Sequence, residues 1–322
     1  MLMYMKESTG LQKVTYTAGM QVPDNAVWLD MYNLSPEEEA CAESFLNLDI
    51  PTREEMHELE LSSSLYQENN AIYMKATILT KADTAEPESH AVTFIIVGQR
   101  LITIRYSEPK PFIHFAARAL KLPPDLCTAQ HIYVGLVESV IERIADILES
   151  TGKSIDQMTR MIFRASKSID TKPDYQRTLL QIGHEGDIIS KCRESMMTLN
   201  RMCSYAVHTS LAGMEGENYV RLETIIKDIA ALNDHAAFLS NKINFLLDAT
   251  LGMINNEQNT IIKIFSVVAV VFLPPTLIAS IYGMNFKIIP ELQWEFGYPM
   301  AIGMMVLSAI LPYLYFKHRK WL

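Results

Sequence analysis

Apolar and polar positions change rhythm twice along this chain. Up to about residue 120 the apolar positions come in short runs separated by turn residues, the pattern of strands and short helices. Residues 26–30 (AVWLD) read as a buried strand. Residues 71–79 and 91–97 are rich in β-branched and aromatic side chains, and 101–106 pairs with the second of these across Gly98-Gln99-Arg100. Two helix starts are written out. Ser35-Pro36-Glu37-Glu38 supplies an N-cap, a proline at the first helical position and a glutamate at the third, and Thr52-Arg53-Glu54-Glu55 repeats the cap-and-glutamate device. Together these signals predict an α+β domain over residues 1–128, a mixed sheet with flanking helices.

From about Ala129 the period becomes helical. Residues 129–165 and 175–212 carry apolar residues at steps of three and four, such as Val134, Leu136, Val140, Ile141, Ile144, Ile147 and Leu148. Lys172-Pro173 separates the two helices, and Gly213 and Gly216 end the second, closing a helical segment at 217. No proline or glycine pair then interrupts the chain until Pro274, so residues 219–282 can form one helix of 64 residues, roughly 96 Å long. A helix of that length cannot be buried in one copy. It implies helices of several copies packed side by side, continuing from water into a membrane.

The third rhythm is continuous hydrophobicity. Residues 264–282 hold no charged residue for 19 positions, roughly 28 Å of helix and about the thickness of a bilayer's hydrocarbon core. The run stops at Gly283-Met284-Asn285, and a second uncharged run of 19 residues follows at 298–316. The expected organisation is a stalk over 218–263, a first span over 264–282, a loop over 283–297, a second span over 298–316 and a basic tail over 317–322.

Composition changes this picture by exposing an asymmetry. Mean hydropathy is only +0.07 and 49% of residues are hydrophobic, as in a soluble protein. From Asn259 onward Lys263, Lys287, Lys317, Arg319 and Lys320 stand against Glu291 and Glu295, a net of +3. The preceding part therefore carries −12 of the chain's overall −9. Such an excess of negative charge excludes nucleic acid as a partner, because the phosphate backbone needs clustered Lys and Arg. It is compatible with cations, and equally with a solvated acidic surface. The N-terminus MLMYMKESTGLQKV has no apolar h-region or cleavage site, so no signal peptide is expected. Cys41, Cys127, Cys192 and Cys203 show no CxxC spacing and read as reduced thiols. Lys263 before the first span and the basic tail after the second place both termini in the cytoplasm by the positive-inside rule.

Candidate chemistry is sparse. No Gly-rich phosphate loop, GxSxG or kinase signature occurs, so an enzyme is not expected. Neither span holds Asp, Glu, His, Lys or Arg, which a proton-coupled transporter normally shows. In the first span Asn259, Ile262, Ser266, Ala269, Leu273, Thr276, Ser280 and Gly283 follow steps of three and four and share one stripe, mostly small or polar. Phe265, Val268, Val271, Phe272 and Ile278 occupy the other face. By periodicity alone the stripe suits close helix packing better than a pore lining. Gly283 reads equally as a left-handed helix cap, and Pro274-Pro275 as a bend.

The flanking residues reverse that preference. Tyr282-Gly283-Met284-Asn285-Phe286 after the penultimate span resembles the signature of the CorA magnesium transporters. The run EQNTIIKIFSVVAVVFLPPTLIASIYGMNF (257–286), Pro290-Glu291-Leu292, Gly297-Tyr298-Pro299 and the terminal PYLYFKHRKWL resemble the proteobacterial CorA type. Ile289 departs from it, standing where that subgroup usually has Met, while the acidic Glu291 is kept. The resemblance implies a homopentameric Mg²⁺ channel of the inner membrane that also passes Co²⁺ and Ni²⁺. It implies a selectivity filter at Gly283, Met284 and Asn285, and a pore lined by Asn259, Leu273, Thr276 and Ser280. Glu291 and Glu295 would attract cations at the outer mouth, and Lys263, Lys317, Arg319 and Lys320 would form a basic collar, although solvated loop charges and positive-inside anchoring account for them equally. Cytosolic Mg²⁺ would regulate the channel, with Asp228 and Asp234 as candidate ligands. The alternatives are a zinc transporter of the same superfamily, for which the histidines show no zinc-ligand spacing, and a non-transporting membrane-anchored scaffold or sensor.

Overall fold

The computed structural model describes residues 1–16, 22–57, 64–165, 174–209, 216–285 and 290–319. Lys172, Pro173, Gly213, Phe286, Lys287, Ile289 and Lys320, each used above, lie outside the described residues. The chain divides into two compact units, Met1–Leu247 and Asp248–Leu322.

The first unit is built on a seven-stranded sheet of β1 (Leu2–Glu7), β2 (Gly10–Thr15), β3 (Ala26–Tyr32), β4 (Leu65–Glu68), β5 (Ala71–Thr80), β6 (Glu88–Val97) and β7 (Arg100–Arg105). The strand order is β2-β1-β3-β7-β6-β5-β4. Every pairing is antiparallel except β3 with β7, so the sheet is mixed. Val97 pairs with Arg100 across a two-residue turn, and Gly98 supplies the left-handed φ of +56° that such a turn requires. The β1–β2 hairpin and β4 carry no strong β-branched run, and only pairing with their neighbours reveals them.

Both faces of the sheet are covered, which is why its central strands are hydrophobic at nearly every position. Alternation sends Leu29, Met31, Tyr73, Ile95, Ile102 and Ile104 to one side, where they form a core with Leu48, Ile50 and Met56 around α1 (Pro36–Leu46) and α2 (Arg53–His57). The caps of these helices form as the sequence predicts. Glu38 N donates to Ser35 Oγ at 3.3 Å and Ser35 N to Glu38 Oε2 at 3.0 Å; Glu55 N donates to Thr52 Oγ1 at 3.3 Å and Thr52 N to Glu55 Oε2 at 2.9 Å.

The other side of the sheet packs against α3 (Lys110–Ala119), α4 (Ala129–Ala165) and α5 (Tyr175–His208). Trp28 meets Phe115 edge-on at 5.9 Å, and Phe94 meets Tyr133 at 5.8 Å. A Cβ on Gly135 would lie 2.4 Å from the Phe115 ring, so the seat of α3 on α4 needs glycine there. Beyond the end of the short strand β4, the edge of β5 is completed by a helix. Thr77 N donates to Thr198 Oγ1 at 3.0 Å, and Ser195 Oγ donates to the Thr77 carbonyl at 2.6 Å.

Helix α6 (Glu217–Tyr282) runs 66 residues. In its first half Leu222, Ile225, Ile229, Ala236, Leu239, Ile243 and Leu246 are buried at helical spacing. Arg221 donates to both carboxylate oxygens of Glu138 on α4, at 2.8 and 2.5 Å, and Lys242 pairs with Asp156. On the same stretch Val220, Phe238 and Phe245 remain 60%, 59% and 57% exposed.

In the second unit α6 continues through Pro274-Pro275, and a short turn at Pro290–Gln293 leads to α7 (Gly297–His318). Both helices are long and apolar enough to cross a membrane, with mean hydropathies of 2.3 and 1.6 in their most apolar stretches. A core helix of a soluble protein would pass the same test but would be buried; only 6% of each stretch is. Phe265, Phe272, Leu273 and Leu311 are 64–71% exposed, a surface that calls for lipid or neighbouring protein rather than water.

Candidate functional site

Every position of the predicted stripe, Asn259, Ile262, Ser266, Ala269, Leu273, Thr276, Ser280 and Gly283, is exposed on α6. Thr276 Oγ1 donates to the Phe272 carbonyl at 2.7 Å, so the hydroxyl's proton is spent on the helix and its lone pairs face outward. Pro274 and Pro275 have no N–H, which removes the usual partners of the Val270 and Val271 carbonyls. The stripe thus presents hydroxyl oxygens and no charge, and the carbonyls freed by the prolines lie beside and behind it.

The end of α6 differs from a left-handed cap. Gly283 does not adopt positive φ; its N–H donates to the Ala279 carbonyl at 2.9 Å, and Met284 N follows to Ile281 O at 3.3 Å. The helical hydrogen-bond pattern therefore reaches Gly283, then tightens and delivers Asn285, exposed, at the close of the described segment. A Cβ on Gly283 would stand 3.1 Å from the Ala279 carbonyl, a tight contact that a shift of a few tenths of an ångström would relieve, and the backbone there does not require a left-handed φ.

The turn that follows is held by backbone. Trp294 N donates to the Glu291 carbonyl at 3.3 Å and Gly297 N to the Trp294 carbonyl at 2.9 Å. The Glu291 carbonyl comes so close that a Cβ on Gly297 would lie 2.1 Å from it. The sequence marks this glycine only through the resemblance of Gly297-Tyr298-Pro299, and the steric reason for it is visible only in the structure. Glu291 and Glu295 are exposed on the same turn, and Trp294 and Phe296 meet edge-on at 6.2 Å beside them.

The remaining candidates stand apart. Lys263, Lys317 and Arg319 are exposed, and Arg319 lies over the Tyr315 ring at 5.9 Å. Asp228 and Asp234 are both exposed on α6, six positions apart and so about 120° apart around the helix. One chain does not bring them together, and among the described residues no three His, Cys, Asp or Glu side chains form a metal-binding group. The thiols offer no substitute. Burial pushes Cys192 and Cys203 up to about 12, leaving them protonated, and Cys41 is the exposed one.

A cluster that sequence could not reveal ties the start of α6 to α4. His131 is 8% exposed, with its two ring nitrogens 3.1 and 3.3 Å from the Arg221 guanidinium that also grips Glu138. Burial first, and Arg221 second, hold its pKa below the ordinary histidine value. These residues are 83 and 90 positions from Arg221, so no local motif links them.

The sequence model of the family described as CorA-like Mg²⁺ transporter protein matches residues 23–318. The chain is 36% identical over 298 residues to the magnesium transport protein CorA of Escherichia coli strain K12, covering 92% of each. It is 33% identical over 299 residues to the protein of that name from Pasteurella multocida strain Pm70, covering 93% of each. Among solved structures it shares the fold of the CorA magnesium transporter of Methanocaldococcus jannaschii, with a TM-score of 0.77 at 14% identity over 100% of this chain and 98% of that one. Full-length CmaX shares the fold as well, at a TM-score of 0.71 and 14% identity. With a match that spans nearly its whole length, this chain belongs to the CorA-like Mg²⁺ transporter family.

Proposed function

We propose that this protein transports Mg²⁺ across the bacterial inner membrane as a homopentameric channel, with both termini in the cytoplasm. The observation that carries the reading is the continuous exposed stripe of α6, uncharged from Asn259 to Asn285 apart from the neighbouring Lys263, ending in Gly283-Met284-Asn285. Two apolar helices cannot enclose a pore alone, so symmetry must supply it, with α6 of each copy lining the axis. Asn259, Leu273, Thr276 and Ser280 then line the path, and Gly283, Met284 and Asn285 form the filter.

The chemistry fits an ion that keeps its water. Mg²⁺ dehydrates reluctantly, so side-chain amides, hydroxyls and backbone carbonyls that hydrogen-bond its hydration shell suit it better than a cage of carboxylates. Glu291 and Glu295 raise the cation concentration at the outer mouth. Lys263, Lys317, Arg319 and Lys320 form a basic collar at the cytoplasmic end. No pump is required: at 100 mV, inside negative, each elementary charge gains about 2.3 kcal/mol on entry. Co²⁺ and Ni²⁺ pass by the same route. Regulation by cytosolic Mg²⁺ falls to sites between copies, where Asp228 and Asp234 of adjacent α6 helices can meet carboxylates that a single chain does not bring to them.

The test is flux into liposomes containing the purified protein. Mg²⁺ should enter faster when the potential favours it, and Asn285→Ala should reduce uptake to the background of protein-free vesicles. Wild-type rates in that variant would remove Asn285 from the path.

A further inference from the structure

The cluster that fastens the start of α6 to α4 takes no part in the proposed ion path, and its chemistry turns on one proton. Arginine carries only donors, so a histidine nitrogen that meets Arg221 must accept. Both ring nitrogens of His131 lie within reach of one Arg221 Nη, at 3.1 and 3.3 Å. A neutral imidazole has a single nitrogen free to accept, and an imidazolium has none. The bond therefore exists only while His131 is neutral. Protonation removes the acceptor and sets two cations against each other at that distance, with His131 only 8% exposed and little water to screen them.

A second acceptor stands ready for the charged ring. Asn218 lies three positions before Arg221 and so on the same face of α6, and its Oδ1 is buried without a hydrogen-bond partner among the described residues. A buried acceptor left unpaired is costly, and protonated His131 is a donor that would satisfy it. Asn218 is close enough to favour the charged ring, as Glu217 and Glu138 do through their charge, while burial and Arg221 oppose it more strongly. The charged groups that act on His131 thus come from α6 (Arg221 and Glu217) and from α4 itself (Glu138).

We propose that His131 is a proton-operated latch on the start of α6. With the ring neutral, Arg221 bridges His131 and Glu138 and clasps the first turn of α6 to α4. On protonation the ring leaves Arg221 for Asn218, Glu138 remains the only hold on Arg221, and the first turn loosens. Release stays local. Ile225 and Ile229, 3% and 1% exposed, anchor the next turns, and Lys242 pairs with Asp156 of α4 further along. The device is a change of partner at one titratable group, which biases an element between a held and a released state.

Spin-label distances in the full-length protein in detergent test this without any measurement of flux. Labels go on Glu142→Cys of α4 and Val220→Cys of α6, both exposed, in a Cys41→Ser background diluted with unlabelled copies so that each distance lies within one chain. At about pH 7.5 one narrow distance distribution is expected, and at about pH 5.5 a second, longer and broader component. A control pair at Lys153→Cys and Asn241→Cys, near the Lys242 contact, should not change. His131→Gln, whose carbonyl still accepts from Arg221 but takes up no proton, should keep the narrow distribution at both pH values. Asn218→Ala should move the midpoint to lower pH, because it removes the acceptor that favours the charged ring. No longer component in the native sequence, the same component in His131→Gln, or equal broadening of the control pair would each overturn the proposal. If His131→Gln does not fold, Asn218→Ala decides, and an unmoved midpoint counts against the latch.

Discussion

Arg105 grips Asp30 inside the sheet: Nε donates to Oδ1 at 3.0 Å and an Nη to Oδ2 at 2.8 Å, with both side chains no more than 5% exposed. The pair joins β7 to β3 at the single parallel pairing, where no hairpin could fix the register. Thr103 Oγ1 also donates to Asp30 Oδ1 at 2.9 Å and in turn accepts from Trp28 Nε1 at 3.0 Å, so the polar atoms of these three side chains are linked in one buried network with Arg105.

Removing one partner of such a pair leaves the other buried and uncompensated. Asp30→Ala should therefore cost about 3–5 kcal/mol of stability, measured by guanidinium unfolding followed by tryptophan fluorescence. Glu149→Ala breaks the exposed pair with Lys153 and should leave the curve unmoved. A shift of the same size in both variants would refute the role of burial.

His131 gives the first unit a pH dependence with a definite sign. Its folded pKa is depressed, so on acidification the unfolded chain takes up a proton before the folded one. Stability is full above the ordinary value of 6.5 and should fall as pH drops through it. Protonation would set imidazolium against Arg221, with Glu138 and Glu217 partly offsetting the repulsion. His131→Gln should flatten that part of the stability–pH profile; an unchanged slope would assign it to other groups.

Gly297→Ala should disable the loop between the two spans, because the new methyl would meet the Glu291 carbonyl at 2.1 Å. Gly303, later in α7, has open space around it, and Gly303→Ala should be tolerated. Mg²⁺ uptake by the two variants in liposomes separates them, and equal uptake would mean that the turn is free to rearrange.

Cys41 is a built-in probe of orientation, being exposed while Cys127, Cys192 and Cys203 are buried. A membrane-impermeant maleimide applied to intact cells should leave the native chain unlabelled and should label Glu295→Cys. Lysis should expose Cys41. Labelling of Cys41 in intact cells would invert the proposed topology.

How much of this was legible beforehand follows from the range of each interaction. The caps at Ser35 and Thr52, the hairpin at Gly98 and the two uncharged runs depend on residues within a few positions of one another, so the order of residue types determines them. The stripe from Asn259 to Gly283 is likewise readable, since a helix maps spacing onto a face. Tertiary structure alone decided the rest. It paired the plain segment 2–7 with Ala26–Tyr32, placed Arg221 on Glu138 and His131, and brought the Glu291 carbonyl against Gly297. Each of these rests on a contact set by packing between elements, and packing chooses among many sequence-compatible partners the one that fills space and satisfies buried polar atoms. Gly283 shows the boundary between the two: its presence at the helix end is written in the sequence, but only the tertiary structure shows that it continues the helical hydrogen bonding to Ala279 and makes no left-handed turn.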